Sequence, residues 1–437
     1  MTRRTRLVFL LAVVALVAAG CGSTSTTGTS NSPTSLAGQS VEVVAKWSGT
    51  EQANFMKVLD AFAKKTGAKT TYTSAGDDVA SFLNQKISGG APPDLAIIPQ
   101  PGTVKDLAKK GNIKPLTGDA LDSVTRNYSP AWKDLGTFDG KVYGVYLKAA
   151  YKSSCWYATD KFTTAGVKEP QTWEDFTATM KTLTDAGITP LAVPGQDAWT
   201  ITDVFENLYL RVGGADNYDK LADHKIPWTD PTVVETLKLM GDLFSTPKAL
   251  DGGNAGALKL TFTQSIAEVF GEKPKAAILC EGDFVGSEIT KLNGKYKVGQ
   301  NAKYFSYPSV KGSKPAAVVG GDQVVALKDN KAAMALVAYL ASPEAAEIFA
   351  KGGGFISPNK SLDQSAYPDD TVRGLADLVV KADVIKFDMS DLAPPSFGGG
   401  TNADEWKLLQ DFLGNPTDAA GLAQKLEDAA KKDFGSS

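Results

Sequence analysis

Two kinds of segment alternate along the chain between residues 41 and 98. Val41–Trp47, Thr70–Thr73 and Asp94–Ile98 are short and rich in β-branched or apolar residues, which is typical of strands. Glu51–Thr66 has the apolar spacing of an amphipathic helix, and Asp77–Ser88 is predicted as a second helix. Because helices that return the chain between strands produce a parallel sheet, this alternation predicts an α/β fold.

The ends of these predicted strands form a predicted binding edge. In parallel α/β sheets, ligands bind at the carboxyl ends of the strands. Trp47, Ser48 and Glu51 follow the first predicted strand, and Pro99 and Gln100 follow the third. We therefore expect these residues to face a ligand.

The segment Thr137–Tyr157 is predicted to cross from one α/β unit into another. Asp139-Gly140 is a strong turn dipeptide, Val142–Leu147 contains strand formers, and a second apolar run ends in Cys155–Tyr157. With 437 residues, the chain is long enough for two cores. We therefore expect a two-lobed protein with a ligand cleft between the lobes.

Composition restricts the class of partner. The chain is 43% hydrophobic and 22% charged, which is ordinary for a globular protein. Lys and Arg total 46 against 49 Asp and Glu, so the balance is mildly acidic. Nucleic acid is not an expected partner, because binding it requires a basic surface.

Residues 1–20 are predicted to be an export signal. Arg3, Arg4 and Arg6 precede the apolar run Leu7–Val17, which is short for a transmembrane helix. The small residues before Cys21 resemble a bacterial lipobox, in which the cysteine is lipidated and becomes the mature N-terminus. The alternative is an ordinary signal peptide in which Cys21 is incidental.

Residues 21–39 are predicted to be a lipidated N-terminus and flexible tether, because Gly22–Gly38 is rich in Ser, Thr, Gly, Asn and Pro. A lipid anchor of this kind would hold the folded part outside the cell membrane, next to its outer face. Removal of the signal loses three arginines and no acids, which leaves 43 basic and 49 acidic residues.

Two cysteines remain beyond the predicted signal, Cys155 and Cys280. Exported proteins meet oxidising conditions, so the pair is a disulfide candidate, and the alternative is two buried thiols. By chain-entropy arguments, so long a loop would gain about 4–5 kcal/mol. Both cysteines fall in one proposed lobe, so the bond would not cross the hinge.

The rest of the chain continues the pattern of helices and strands. Thr172 and Asp175 resemble a capping box at a helix start. Gln196–Trp199 is predicted as a loop, and Gly320–Asp322 is predicted as a turn. The further predicted strands are 188–193, 276–280 and 323–327, and the further predicted helices are 202–212, 232–244, 263–270, 331–340, 343–351, 403–412 and 418–432.

Several motifs along nearly all of the mature chain carry a family resemblance. They are Trp47–Gly49, Pro93–Gln100, Thr137–Val145, Tyr157–Phe176, Gly282–Phe284 and Ala341–Ala346. In this order, and with the lipobox, they resemble the extracellular solute-binding proteins of ABC importers, in the carbohydrate-binding family that includes maltose-binding protein. The stretch Trp199–Asp230 is more similar to the α-glucoside binders of that family.

The resemblance implies a type II periplasmic-binding-protein fold, in which two α/β lobes with several hinge crossings close on a ligand. Lobe 1 would comprise residues 40–147 and 318–357, and lobe 2 would comprise residues 148–317 and 358–437. The resemblance also implies a carbohydrate ligand, a membrane permease as partner and a monomeric state. It implies no catalytic residue, no cofactor and no metal.

Sugars present hydroxyl edges, which suit Asp, Glu, Asn and Gln, and apolar faces, which suit aromatic rings. Trp47, like Trp156, is more typical of a core ring. The predicted ligand-binding residues are Trp47, Ser48, Glu51, Gln100, Trp199, Asp203, Glu281, Gly282, Phe284, Gly321, Asp322, Asn402 and Trp406.

Each candidate has a structural alternative. Trp199 and Phe284 could be core rings, and Glu51 could be a solvated acid favoured by the helix dipole. Asp322 could cap a turn, and the glycines of Gly398–Asn402 could form only a flexible loop.

Enzyme functions are less consistent with the sequence. The chain has one histidine, His224, in a polar context, which disfavours Ser-His-Asp machinery and multi-histidine metal sites. It also lacks a P-loop motif. A glycoside hydrolase needs only two carboxylates, so a lipid-anchored hydrolase is the alternative function. An adhesin or scaffold lipoprotein is a third class.

Overall fold

The computed structural model describes residues 35–76, 78–292, 294–381, 384–400 and 402–435. The predicted export signal, Cys21 and Thr401 lie outside the described residues. Within the predicted tether, Leu36 is buried, and its N–H donates to the carbonyl of Thr66. The packed part of the chain therefore includes the last residues of the predicted tether, because Leu36 contributes to the core.

The strands among the described residues are mostly short. They are β1 Ser40–Ala45, β2 Lys69–Ser74, β3 Leu95–Ile98, β4 Thr137–Phe138, β5 Lys141–Val142, β6 Gly144–Tyr151, β7 Ser154–Ala158, β8 Thr189–Leu191, β9 Ala276–Cys280, β10 Ala302–Ser306, β11 Ala316–Ala326 and β12 Val384–Phe387.

Helices connect and cover these strands. They are α1 Gly49–Thr66, α2 Val79–Ser88, α3 Pro101–Lys109, α4 Gly118–Asn127, α5 Pro130–Leu135, α6 Thr159–Ala165, α7 Trp173–Asp185, α8 Trp199–Val212, α9 Gly214–Ala222, α10 Pro231–Ser245, α11 Gly253–Ala257, α12 Phe262–Phe270, α13 Val285–Lys291, α14 Lys331–Leu340, α15 Pro343–Ala350, α16 Asp370–Lys381, α17 Met389–Leu392, α18 Asp404–Gly414 and α19 Ala419–Phe434. No single described helix is long and apolar enough to cross a membrane, whereas α14 and α15, bent by 64°, meet that criterion only as a pair.

The larger sheet has the strand order β12-β11-β3-β1-β2, and β6 also pairs with β11. β1 pairs in parallel with β2 and β3, as the alternation of strands and helices predicts. β11 runs antiparallel to β3 and β6 and parallel to β12. Every residue of β6 and β11 is buried, so this strand pair lies at the centre of the fold.

The smaller sheet has the order β10-β7-β9-β8, with β7 antiparallel to both of its neighbours. The two-stranded hairpin of β4 and β5 turns at the predicted Asp139-Gly140 dipeptide. β12 belongs to the larger sheet, although residues 358–437 were assigned to lobe 2. The limits of the two lobes therefore remain a prediction.

Two large apolar clusters make up most of the core, and each contains residues from both sheets. Phe55, Tyr146 and Phe349 belong to the first cluster, and Phe205 and Trp228 belong to the second. Their rings are nearly or fully buried, and burial of a large aromatic side chain stabilises the folded state by about 1.5–3 kcal/mol. The two clusters therefore pack helices against strands of both sheets, as expected for an α/β fold.

Two local predictions are wrong. Trp199 is the first residue of α8 and not part of a loop, and Gly320–Asp322 lies inside β11 and not in a turn. A Cβ atom on Gly321 would come within 2.5 Å of the carbonyl oxygen of Lys148 on β6. The glycine therefore allows close approach of two strands, which is the other common role of glycine in a sheet.

Cys155 and Cys280 form a disulfide, which confirms the predicted pairing. They are direct partners in the antiparallel ladder between β7 and β9. The bond therefore joins two strands of the smaller sheet across 125 residues of sequence.

We predict that replacing both cysteines, Cys155→Ala with Cys280→Ala, lowers the free energy of unfolding by about 2–5 kcal/mol, because the unfolded chain regains the entropy of a long loop. Chemical denaturation of the exported protein measures this loss. Wild-type protein unfolded with a reductant present serves as the control. Equal stability of the double variant and the oxidised wild type would contradict the prediction.

Candidate functional site

Two buried lysines lie at the end of β6. Lys148 is inside the strand, opposite Asp322 of β11, and Lys152 follows the strand directly. The side chains of Lys148 and Lys152 are 8% and 12% exposed. Buried ammonium groups need carboxylate partners, and both lysines have them.

Three acidic residues lie close to Lys148 near the start of α1. Nζ of Lys148 lies 2.5 Å from Oε1 of Glu51. Burial opposes the charge of Lys148, but Glu51, Asp322 and Asp283 outweigh burial and raise its pKa above the usual value. Oδ2 of Asp322 also accepts a hydrogen bond of 3.1 Å from the indole N–H of Trp47. Three predicted site residues, Trp47, Glu51 and Asp322, therefore meet around a lysine that was not predicted.

Lys152 binds a second pair of acids. Its Nζ lies 2.9 Å from Oδ1 of Asp203 and 2.5 Å from Oδ2 of Asp388. Burial raises the pKa of Asp203 to about 7 even though Lys152 favours the carboxylate. The pKa of Asp388 is lowered despite burial, because Lys152, the N–H of Asp391 and the hydroxyl of Ser390 stabilise its charge.

Further buried carboxyl groups surround this pair. The carboxylate of Glu206 accepts a hydrogen bond of 2.7 Å from the hydroxyl of Tyr218 and two more from backbone N–H groups that begin α17. By contrast, neither carboxyl oxygen of Glu281 or Glu405 has a hydrogen-bond partner among the described residues. Burial, and after it the neighbouring carboxyl groups, raise the pKa of these three glutamates.

Three half-buried aromatic rings lie between the two lysines. The ring centroids of Trp199 and Phe284 are 6.0 Å apart, and Phe262 lies 5.5 Å and 5.4 Å from them. Nζ of Lys152 is 5.4 Å from the ring centre of Trp199, and Nζ of Lys148 is 6.0 Å from that of Phe284. The rings therefore offer apolar surface beside charged and hydrogen-bonding groups, as small-molecule sites do.

The segment Glu281–Phe284 is held firmly against β7 and the end of β6. The carbonyl of Glu281 accepts a hydrogen bond of 2.6 Å from the hydroxyl of Ser154. The carbonyl of Gly282 accepts one of 3.1 Å from the indole N–H of Trp156. The carboxylate of Asp283 accepts a hydrogen bond of 2.7 Å from the N–H of Tyr151. These bonds fix the direction in which the segment presents its side chains.

The glycine of this segment has a steric role. A Cβ atom on Gly282 would lie 2.3 Å from the ring of Phe284, so a larger residue would displace the aromatic side chain. Gly282 was predicted as a site residue, and the structure places it beneath one of the three rings.

Four other predicted residues lie outside this network. Ser48 is exposed at the N-cap of α1, Gln100 is buried at the start of α3, and Asn402 is exposed before α18. Trp406 is 7% exposed, and its indole N–H has no partner among the described residues. Among the described residues, no hydrogen bond or ring contact joins these four to the lysine network.

Sequence reasoning missed several residues that organise the site. Lys148 and Lys152 interrupt an apolar crossing segment four residues apart, a pattern that could have indicated buried cations. Asp388 and Asp391 follow a short strand and were overlooked in a glycine- and proline-rich region. Phe262 has no motif around it that would have revealed its role.

Other site types receive no support from the described residues. They contain no group of three or more His, Cys, Asp or Glu side chains arranged to hold a metal ion. An open surface depression lies between Thr184–Thr189 and Lys248–Gly253, and none of the predicted site residues lines it.

Comparison with known proteins identifies the family. Residues 46–347 match the family described as bacterial extracellular solute-binding protein. The match covers more than half of the chain, and the chain belongs to this family.

Two relatives are similar over most of their length. The osmoprotective compounds-binding protein GgtB of Synechocystis sp. is 33% identical over 381 residues, which cover 86% of this chain and 88% of the relative. The α-glucosides-binding periplasmic protein AglE of Rhizobium meliloti is 31% identical over 412 residues, which cover 91% of this chain and 88% of the relative.

Solved structures share the fold. The bacterial solute receptor AcbH superposes with a TM-score of 0.81 at 22% identity, covering 91% of this chain and 99% of that chain. The GacH receptor of Streptomyces glaucescens gives a TM-score of 0.74 at 18% identity, covering 91% and 98%. These likenesses confirm the type II periplasmic-binding-protein fold.

The chain is therefore an extracytoplasmic solute-binding protein that serves transport, and it is not an enzyme. The resemblance drawn from the sequence motifs is confirmed, and the hydrolase alternative is contradicted.

We predict that Lys152→Met lowers the free energy of unfolding by about 3–5 kcal/mol, because Asp203 and Asp388 lose their cation while remaining buried. Lys110→Met is the control, since it breaks a surface pair with Asp106 that is worth about 0–1 kcal/mol. Urea denaturation at neutral pH measures both. Losses of the same size in the two variants would contradict the buried-pair account.

The pH dependence of stability tests Asp283. Burial raises the pKa of Asp283 from its usual value of 3.8 to about 7, although Lys148 favours the carboxylate. Asp283 therefore ionises at a lower pH in the unfolded chain than in the folded protein. The stability contributed by protonated Asp283 is lost as pH rises from about 4 to about 7. Asp283→Asn keeps a side-chain oxygen that can accept the hydrogen bond from the N–H of Tyr151, but the amide cannot titrate.

We expect Asp283→Asn to reduce the loss of stability between pH 4 and pH 8 by roughly 2–4 kcal/mol. Denaturation curves across that range measure the loss. Asp119→Asn, at an exposed helix start, should follow the wild type. A slope for Asp283→Asn that equals the wild-type slope would show that Asp283 does not titrate in this range.

Proposed function

We propose that this protein is the carbohydrate receptor of an ABC sugar importer, and that it captures an α-linked di- or oligosaccharide for delivery to a membrane permease. The similarity to AglE, whose name states α-glucosides as its ligands, supports the finer assignment. The similarity to GgtB, which binds osmoprotective compounds, widens the set of small solutes that deserve testing.

The observation that carries the proposal is the set of three rings between two lysine–carboxylate groups. Trp199, Phe262 and Phe284 present apolar surface, which suits the C–H face of a pyranose. Glu51, whose side chain is 30% exposed, offers carboxylate oxygens that can accept from sugar hydroxyls. Faces and edges of a sugar are therefore both matched.

We place the ligand between the two proposed lobes, 40–147 with 318–357 and 148–317 with 358–437. The contacts of Lys148 support this placement. Its ammonium pairs with Glu51 of proposed lobe 1 and lies near Phe284 of proposed lobe 2. A sugar held between the lobes would lie beside this ion pair and the rings, and it would be released without covalent change.

In this proposal the protein is anchored by lipid on Cys21 and acts as a monomer. The lipobox-like residues before Cys21 support the anchor. Anchoring at the outer face of the cell membrane would keep the receptor close to its permease, where ATP hydrolysis by the transporter supplies the energy for import.

We expect thermal shift measurements of the mature domain against a panel of maltose, trehalose, sucrose, raffinose and small polyols to reveal one or a few stabilising ligands, because binding to the folded state raises the melting temperature. Trp199→Ala and Phe284→Ala should each weaken the best ligand by at least about tenfold through loss of ring contact. Calorimetric titration measures the affinities.

Phe82→Ala is the matched control for ring loss. Phe82 is half-buried in a separate apolar cluster and lies beneath the ammonium of Lys86, much as Phe284 lies near that of Lys148. Its removal should leave affinity within twofold of the wild type. No stabilising sugar in the panel would refute the proposed function, and unchanged affinity in both Trp199→Ala and Phe284→Ala would refute the site.

A further inference from the structure

Three consecutive glycines, residues 352–354, follow α15 and form a turn. Gly353 and Gly354 have φ values of +77° and +64°, a left-handed backbone that residues with a Cβ atom adopt only under strain. A Cβ atom on Gly353 would make an ordinary contact of 3.7 Å with the ring of Pro368. One on Gly354 would overlap Ser287. The turn alone therefore accounts for Gly353, whereas Gly354 meets a second requirement.

This glycine turn is attached to α1 and β6. The carbonyl of Gly352 accepts a hydrogen bond of 3.0 Å from the side-chain amide of Asn54, which lies one turn after Glu51 on α1. Just beyond the glycine turn, the carbonyl of Ile356 accepts a hydrogen bond of 2.7 Å from the N–H of Ala149 on β6. The glycine turn is therefore fixed relative to elements that carry residues of the proposed site.

Ser287 is fixed to a different set of elements. It belongs to α13, and its hydroxyl donates a hydrogen bond of 2.9 Å to the carbonyl of Phe284. The helix packs closely on the smaller sheet, since a Cβ atom on Gly286 would lie 2.8 Å from the ring of Trp156 on β7. Ser287 therefore keeps its position relative to Phe284 and to the smaller sheet.

Gly354 and Ser287 approach each other between these two sets of elements. A Cβ atom on Gly354 would lie 2.6 Å from the hydroxyl oxygen of Ser287 and closer still to its Cβ atom. The hydroxyl could rotate away, but the Cβ atom is bonded directly to the helix backbone and cannot. The two backbones therefore come this close only because residue 354 is a glycine.

We infer, on the basis of the proposed function, that Gly354 and Ser287 form a contact between the two proposed lobes that sets how far the lobes close. Gly354 lies in proposed lobe 1, and Ser287 lies in proposed lobe 2. A sugar held by both lobes binds only the closed arrangement, so its apparent affinity falls with the population of that arrangement. The combined size of the two residues therefore determines the affinity, although neither belongs to the ring site.

The experiment is a calorimetric titration of the full mature protein with whichever of maltose, trehalose, sucrose, raffinose and the small polyols binds the wild type most tightly. Gly354→Ala should weaken binding by about tenfold or more, because the added methyl group keeps the lobes apart. Gly353→Ala is the matched control, since it imposes the same left-handed strain without the overlap. Its affinity should stay within about threefold of the wild type.

Double variants test the contact itself. Adding Ser287→Gly to Gly354→Ala removes the Cβ atom that the new methyl group overlaps, so this double variant should bind within about threefold of Ser287→Gly alone. Adding Ser287→Ala instead keeps that Cβ atom and should restore nothing, although both changes remove the hydrogen bond to Phe284. If Gly354→Ala does not fold, Ser287→Val enlarges the contact from the other side and should bind at least about threefold more weakly than Ser287→Ala.

Stability measurements separate a contact made on closure from a contact on which the fold depends. Without sugar, the lobes can separate and relieve the overlap. Urea denaturation of the sugar-free protein should therefore give Gly354→Ala and Gly353→Ala the same free energy of unfolding, while their affinities for the sugar differ.

Equal affinities of the two alanine variants at 353 and 354 would overturn the inference while leaving the sugar receptor intact. It would also be overturned if Ser287→Gly failed to restore binding, or if Ser287→Val bound as tightly as Ser287→Ala. The same holds if Gly354→Ala loses as much unfolding free energy, relative to Gly353→Ala, as it loses binding free energy. Failure of the whole panel to bind the wild type would refute the proposed function and the inference with it.

Discussion

Two lysines on one strand bring together acids from distant parts of the chain. Lys148 binds Glu51 from the start of α1, and Lys152 binds Asp203 of α8 and Asp388 near the C-terminal region. Buried carboxylates repel one another strongly where the dielectric constant is low. The cations make this concentration of acids compatible with folding, and the aromatic surface between them depends on the same framework.

Local signals were enough to predict most of the fold. β1, α1 and β2 lie within a few residues of their predicted limits, because apolar periodicity and turn residues act over short stretches. One of the two errors occurred where one residue type serves two purposes. Gly321 suits a turn as well as a close strand contact, and only the neighbouring strand β6 decides between them.

The site was predictable in its chemistry but not in its organisation. Glu51, Asp203 and Phe284 were expected from the sequence, because acids and rings near strand or helix ends suit a sugar. Lys148 and Lys152 were not, since lysine is normally at the surface and its burial depends on partners 97 and 236 residues away. Such distant pairing leaves no pattern in a single sequence.

The disulfide has a consequence for how the protein matures. Cys280 immediately precedes the segment that carries Phe284, and its partner Cys155 lies opposite it in the ladder. Pairing of β7 with β9 places the two thiols opposite each other, so the ladder and the disulfide favour the same arrangement of the two strands. A chain that folds in a reducing cytoplasm would keep the same ladder without its covalent tie, and passage to the cell exterior would complete the architecture beside the aromatic surface.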